Sequence, residues 1–203
     1  MLNNGVIPRI PVFVDSPPAV NASEIFQTHT YLFDKEAKAL LANDRHHSVL
    51  GFDLLTYTRS VEESKAINFI KGPAVIISAS GMAETGRILH HLKNNIEDPK
   101  NTILIVSWQA PETLGRRLAE RKEEVNIFGK RYHRKAQVAT IGALSSHAGQ
   151  TFLLEYALAS RERLKKIFLV HGEARGADAL REKLRAGGYS NVYFPEEYSV
   201  VEI

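Results

Sequence analysis

The sequence predicts an α/β protein in which a parallel-rich sheet is flanked by helices. Short apolar runs alternate with segments whose apolar residues recur at helical spacing, and most of the runs end at Ser, Asp, Gly or Pro. The chain has 203 residues, of which 44% are hydrophobic. That is enough to bury a core in one large domain or in two small ones.

The first half of the chain contains four of these runs. They are IPVFVDSPPA, LLTYTRS, AVIISASGM and TILIVSWQAP. A helix is predicted after the third run, because its apolar residues form a single stripe that would cover one face of the sheet. The stripe consists of Met82, Ile88, Leu89, Leu92 and Ile96, and Glu84, Arg87, Lys93 and Asn94 lie largely outside it.

The pattern changes after Arg121. The segment EVNIFGKRYHRKAQVATIGALSS has β-branched residues and short turns without a helical stripe, which indicates a hairpin or paired strands. A boundary near Lys135 divides the chain into residues 1–134 and 135–203. The second part is predicted to contain a helix in GQTFLLEYALAS, a strand in KKIFLV, a helix in ARGADALREKLRAGG and strands in NVYFPE and YSVVEI. Phe152, Leu153, Tyr156 and Ala157 would share one face of the first of these helices.

Composition excludes several classes of protein. The chain has no cysteine, so disulfides, iron–sulfur clusters and thiolate zinc sites are excluded, and any metal must be held by histidine and carboxylate. The net charge of +3 is too small to indicate a non-specific DNA binder. No apolar run approaches the roughly 18–20 residues that span a bilayer. Because Met1 to Asn4 also lacks the features of a signal peptide, we expect a cytoplasmic protein that does not enter membranes.

The first polar loop follows the third run, at Ser78-Ala79-Ser80-Gly81-Met82. Hydroxyls and backbone N–H groups at such a strand-to-helix turn can bind an anion. An ordinary helix N-cap with a glycine for tight packing explains the same residues equally well. Arg87, further along, either reaches a phosphate or lies in solvent.

Two further loops each place a histidine between a strand and a helix. His147 lies in the loop Ser145 to Gly149, and His171 follows the strand KKIFLV, with Glu173 near enough to orient its ring. Taken alone, such a histidine is more often a loop or cap residue than a catalyst. The other histidines form no complete metal-binding motif. His90 and His91 are adjacent on a helix and point about 100° apart, which favours a solvated edge over chelation.

Three segments in order resemble one family. They are VIISASGMAETGRILHHLKNNIEDPKNTILIVSWQAPETLGRRL, AQVATIGALSSHAGQ and IFLVHGE. Together they resemble the C-terminal half of the β-CASP metallo-β-lactamase ribonucleases, a family of RNA-processing nucleases related to the endonuclease that cleaves pre-mRNA. The resemblance runs over nearly the whole chain, from PVFVDSPPA to the terminal strands. Leu144-Ser145-Ser146 replaces the phenylalanine and small residue that usually precede the family's motif B histidine.

The resemblance implies a zinc-dependent nuclease in which a β-CASP domain clamps RNA over two zinc ions. It implies that residues 1–134 are most of the β-CASP domain and that 135–203 are the returning strands and helices of a metallo-β-lactamase αββα domain. It places the motif B histidine, which acts at the scissile phosphate, on His147, and the motif C histidine, a zinc ligand, on His171. Bound zinc would supply a hydroxide for attack on the RNA phosphodiester.

Most zinc ligands of the family lie N-terminal to the part that this sequence matches. We therefore expect this chain alone to hold no stable zinc and to be inactive without an N-terminal metallo-β-lactamase half. Ser78, Ser80, Gly81 and Arg87 are the candidate RNA contacts, by inference from the chemistry of their loop. Surfaces that would pack against the other half favour self-association, so we also expect a homo-oligomer.

Two other functions fit parts of the sequence. The chain would also suit an RNA-binding or regulatory module without catalysis. A doubly wound protein that binds a nucleotide or another small molecule would explain the βα alternation alone. No G-x-G-x-x-G motif follows the first strand and no G-x-x-x-x-G-K-[ST] motif occurs, which disfavours the nucleotide-binding alternative.

Overall fold

The computed structural model describes residues 8–43, 50–142, 144 and 147–201. Two compact units divide the chain, Met1–Ser145 and Ser146–Ile203. The α/β fold class is confirmed. The division into residues 1–134 and 135–203 rests on the character of the sequence and stays a prediction.

The first unit is built from seven described strands and five α-helices. The strands are β1 (Val12–Asp15), β2 (Leu55–Tyr57), β3 (Val75–Ser78), β4 (Thr102–Ile105), β5 (Glu124–Ile127), β6 (Lys130–His133) and β7 (Gln137–Thr140). The helices are α1 (Pro17–Thr28), α2 (Lys35–Asn43), α3 (Val61–Ala66), α4 (Ile88–Asn95) and α5 (Leu114–Ala119), with short 3-10 helices at Thr30–Leu32 and Ile67–Phe69.

Strand β1 is the centre of a three-stranded parallel sheet of order β2-β1-β3. Its last residue, Asp15, is in register with Ser78 at the end of β3. Helix α1 follows at once, because the Ser16 side chain caps its first turn and Pro17 suits the first helical position. The carboxyl ends of three parallel strands therefore lie at one edge, where βα loops form ligand sites.

A second group of elements packs around helix α4. Strands β4 and β7 pair in parallel, and β5 and β6 form the antiparallel hairpin that the sequence predicted. The apolar stripe predicted for α4 is confirmed for Leu89, Leu92 and Ile96, which are buried against α5 and β5. Met82 is not part of the helix, because Ala83 and Gly86 have positive φ angles and hold residues 79–87 as a loop.

The second unit contains α6 (Gln150–Ala159), β8 (Ile167–Phe168), α7 (Ala174–Ala186) and β9 (Val192–Tyr193). Strands β8 and β9 pair in parallel, and α6 and α7 pack on a small core around Leu184. Residues 198–201, part of the predicted strand YSVVEI, are not a strand. Residues 202 and 203 lie outside the described part of the chain.

The four residues predicted to share one face of helix α6 are not equally buried. Phe152, Leu153 and Tyr156 are exposed, and Leu154, Ala157 and Leu158 pack against the core. The sequence did not distinguish the two faces because the helix is apolar nearly all round.

Among the described residues, no helix combines the length and apolar character that crossing a membrane requires.

Candidate nucleic-acid interface

Asp15, at the carboxyl end of β1, is completely buried and surrounded by donors. Ser64 Oγ donates to its carboxylate at 2.6 Å, and the Thr58 hydroxyl also donates to it. Arg87 and His91 complete the set from the start of helix α4. A buried carboxylate requires this saturation, since an unpaired charge would carry a large desolvation cost.

Arg87 connects this carboxylate to the neighbouring loop. Its Nη1 donates to Asp15 Oδ1 at 2.7 Å and to the Thr58 carbonyl at 3.3 Å, and its Nη2 donates to the Arg59 carbonyl at 2.7 Å. The side chain is only 19% exposed. Arg87 therefore holds the β2–α3 connection and the start of α4 together, and its contact with RNA stays a prediction.

His91 lies one helical turn after Arg87 and points the same way. Its Nε2 donates to Asp15 Oδ2 at 2.6 Å, and the ring is buried. The prediction that His90 and His91 line a solvated edge is wrong for His91, because the i,i+4 spacing with Arg87 turns its ring toward Asp15. Its Nδ1 is buried and has no hydrogen-bond partner among the described residues.

The pKa of Asp15 reflects these contacts. Desolvation by burial raises it, but the hydrogen bonds from Ser64, Thr58, His91 and Arg87 outweigh burial and lower the pKa from 3.8 to about 2. The carboxylate is therefore ionised at neutral pH and accepts from all four partners. This charge network fixes the edge of the sheet from which the 79–87 loop leaves.

The loop of residues 79–87 closes on itself. Ser80 N donates to the Thr85 carbonyl at 3.2 Å, Thr85 N donates to Ser80 Oγ at 3.3 Å, and Ile88 N donates to the Ala79 carbonyl at 3.1 Å. Gly86 has a φ of +84°, and a Cβ there would come within 2.6 Å of the Ala79 carbonyl oxygen. Only glycine fits that position without moving the backbone.

The candidate RNA contacts of this loop differ in which of their hydrogen-bonding groups are already used within the protein. Ser78 Oγ donates to the Asp15 carbonyl at 3.0 Å, so its hydroxyl joins β3 to β1. Gly81 is exposed, and its N–H and that of Met82 have no acceptor among the described residues. The loop can therefore donate backbone hydrogen bonds to an anion, as the sequence suggested, and the RNA contacts of Ser78, Ser80 and Gly81 stay predictions.

Both candidate catalytic histidines belong to the second unit and are exposed. His147 precedes helix α6, and His171 follows β8 with a φ of +60°. Glu173 is the N-cap residue of α7. The roles of His147, His171 and Glu173 stay predictions, and Ser145 and Ser146 of the same loop lie outside the described residues.

Zinc is the metal that the family resemblance implies, and His171 is its candidate ligand in this chain. In the part that the structure describes, no group of three or more His, Asp or Glu side chains is placed to hold a metal ion. A catalytic zinc ion usually takes three protein ligands. The role of His171 as a zinc ligand and the expectation that this chain alone holds no stable zinc both stay predictions.

The network around Asp15 was missed from the sequence. The sequence places Asp15 only at the end of the first apolar run, and the adjacency of His90 and His91 predicts a solvated edge. Two signals were present in the sequence: the i,i+4 spacing of Arg87 and His91, and the aspartate Asp15 at the end of the first strand. Neither signal reveals which strand the Arg87 and His91 side chains reach.

Two family models match this chain. The family model described as the Beta-Casp domain matches residues 1–118, and the model described as the Zn-dependent metallo-hydrolase RNA specificity domain matches residues 131–195. The two matched segments follow one another along the chain. The chain belongs to the β-CASP family of metallo-β-lactamase nucleases.

Several curated proteins are similar to this chain. Ribonuclease TTHA0252 of Thermus thermophilus is 34% identical over 183 residues, which cover 90% of this chain and 41% of that protein. Transcription termination factor FttA of Methanosarcina mazei is 26% identical, over 91% of this chain and 30% of that protein. An RNase J-like protein of Methanocaldococcus jannaschii is 26% identical, over 85% and 38%. The chain thus spans about two fifths or less of these relatives.

Proposed function

We propose that this chain is the RNA-binding part of a zinc-dependent RNA-processing nuclease and supplies two histidines to its active site. The observation that carries the proposal is the succession of a Beta-Casp domain and a Zn-dependent metallo-hydrolase RNA specificity domain, with His147 and His171 inside the second. The 79–87 loop contacts RNA phosphates through the Ser80 hydroxyl and through the Gly81 N–H, which has no acceptor among the described residues. Ser78 and Arg87 hold that loop in place.

His147 and His171 act at the reacting phosphodiester. His147 donates a proton to the leaving oxygen or stabilises charge at the phosphate. His171 supplies one nitrogen to a zinc ion, and Glu173 orients its ring. The remaining ligands come from a metallo-β-lactamase region, which the greater length of the relatives can accommodate. We expect this nuclease to act in the cytoplasm, where it would meet its RNA.

The exposed apolar face of α6 supports the proposal that another protein surface packs against this helix. Phe152 is 61% exposed and Tyr156 is 72% exposed. A helix that is apolar all round is normally covered on both sides. In the working nuclease the metallo-β-lactamase region covers this face, and the chain on its own self-associates through it.

A chimera tests the proposal. This chain replaces the aligned segment of the Thermus ribonuclease, and zinc content and cleavage of a labelled RNA are measured. We expect cleavage by the chimera and none by this chain alone. His171→Ala should lower the zinc content, whereas His147→Ala should keep the zinc and slow cleavage by roughly 10²–10⁴-fold.

Two results would count against this assignment. A folded chimera in which neither histidine variant changes zinc content or rate would remove their proposed roles. Zinc-dependent cleavage by this chain alone that requires His171 would show that no other ligands are needed.

A further inference from the structure

We propose that a cavity of the first unit, beside the tip of the β5–β6 hairpin, binds a nucleobase of the RNA. The inference rests on the proposed function, because it assumes that RNA is the ligand. It concerns the lining of this cavity, which includes none of Ser80, Gly81, His147 and His171. The cavity has a volume of about 190 Å³.

The floor of the cavity is rigid, because it rests on the protein core. It is formed by Leu89, Leu114 and Ile127, which are all buried members of the core around helix α4. A ligand that enters the cavity therefore meets a surface that deforms little, and the side chains of the wall and rim make the specific contacts.

Phe128 forms one wall and occupies an unfavourable position. It is the first residue of the two-residue turn between the paired residues Ile127 and Lys130, with a φ of +50°. Asparagine or glycine usually occupies this position, and a bulky side chain there costs about 1 kcal/mol or more. The Phe128 side chain is 55% exposed, so more than half of its surface stays open to a ligand.

The surroundings of Phe128 suit a base. Its ring lies 4.8 Å from the His90 ring, centroid to centroid, so two aromatic groups stand together at the surface. Aromatic side chains of this kind stack on the bases of single-stranded nucleic acid. The stretch from residue 121 to 135 contains six Lys or Arg and two Glu, a net charge of +4 against +3 for the whole chain. A backbone phosphate is therefore attracted to the same hairpin.

The polar rim indicates which bases fit. Glu84 and Glu112 both border the cavity, and Arg117 and Asn126 lie beside them. One Glu84 oxygen accepts from Leu114 N, and its other oxygen has no donor among the described residues. Carboxylates repel phosphate but accept hydrogen bonds from exocyclic amines, as they do from cytosine N4. The cavity should thus prefer cytosine, adenine or guanine to uracil, which has no exocyclic amine.

The test measures binding of fluorescein-labelled oligo(C), oligo(A) and oligo(U) to the full chain by anisotropy at low salt. Phe128→Ala should weaken oligo(C) and oligo(A) binding by about tenfold, the usual effect of losing one stacked base, and Phe128→Trp should preserve it. Glu84→Gln should reduce the preference over oligo(U). Phe26→Ala is the matched control, because Phe26 is 57% exposed and does not line the cavity.

Each other outcome overturns the inference in a recognisable way. If the wild-type chain binds RNA and Phe128→Ala binds equally well, the cavity is not a base site and the proposed function stands. If Phe128→Ala instead changes only the oligomeric size on a sizing column, the hairpin tip contacts protein. If the wild-type chain binds none of the three oligonucleotides, the proposed function fails and this inference fails with it.

Discussion

His91 Nε2 lies 2.6 Å from Asp15 Oδ2, and both side chains are buried although 76 residues separate them in sequence. Together with Arg87 they connect the end of the central strand to the first turn of α4. The loop that we propose as an RNA contact begins and ends within this network. The stability of that connection therefore determines whether the loop keeps its shape.

Replacing Asp15 by asparagine should destabilise the first unit strongly. The change leaves the Arg87 guanidinium without its carboxylate partner in a mostly buried position, and breaking a buried pair in this way typically costs about 3–5 kcal/mol. Urea unfolding followed by tryptophan fluorescence measures the effect, since the single tryptophan, Trp108, reports on this unit.

Glu24→Gln is the matched control for this measurement. Glu24 pairs with Arg59 at the surface, where both side chains are more than half exposed. Loss of an exposed pair should cost no more than about 1 kcal/mol. Equal unfolding free energies for the Asp15 and Glu24 variants would show that the network contributes little.

The stability of the first unit should also fall in acid. Because folding lowers the pKa of Asp15 from 3.8 to about 2, the folded state favours the ionised carboxylate. The resulting contribution, about 2 kcal/mol, is fully present above pH 3.8 and disappears as the pH falls through about 2. Urea midpoints measured on both sides of this window should diverge in the wild type more than in Asp15→Asn. A parallel decline in the two proteins would assign the acid sensitivity to other carboxylates.

Gly86→Ala should disrupt the 79–87 loop. An added Cβ would press on the Ala79 carbonyl, and the φ of +84° is itself unfavourable for alanine. We expect a loss of more than about 2 kcal/mol in the free energy of unfolding, together with weaker RNA binding. Gly129→Ala provides the comparison, because Gly129 has a φ of +74° and no atom within 4 Å of its would-be Cβ. If the two variants lose the same stability, the close approach to Ala79 is unimportant.

The exposed face of α6 should make the isolated chain self-associate. Sedimentation velocity should show a dimer or larger species, and Tyr156→Lys should shift it toward monomer by placing a charge on the apolar face. Thr151→Lys adds the same charge at another exposed position of the helix and should have a smaller effect. A wild-type chain that stays monomeric at high concentration would rule out this surface as an association site.

Local patterns predicted the elements of this fold well. The spacing of Leu89, Leu92 and Ile96 was sufficient to predict helix α4 and its buried face, because helical periodicity is a property of a short segment. The same approach failed for α6, where apolar residues occur on every side and only tertiary contacts decide that Leu154 packs inward and Tyr156 does not.

The residues of the candidate site were harder to predict from the sequence than the helices and strands. Ser80, Gly81 and the two histidines could be selected because each follows a strand. The pairing of Asp15 with Arg87 and His91 depends on which strands are neighbours, and β1 lies next to β3 although α1, α2, β2 and α3 come between them in the chain. Order along the sequence does not give that adjacency.

Binding of a labelled single-stranded RNA to the purified chain, repeated at increasing salt, tests the central claim most directly. We predict measurable binding at low salt that weakens steadily from roughly 50 to 200 mM as counterions compete for the phosphates. Ser80→Ala should weaken it by about tenfold, as expected for one lost hydrogen bond to a charged group, and Ser199→Ala in the second unit should not. Absence of binding at the lowest salt, or an affinity that salt and Ser80→Ala leave unchanged, would contradict the account.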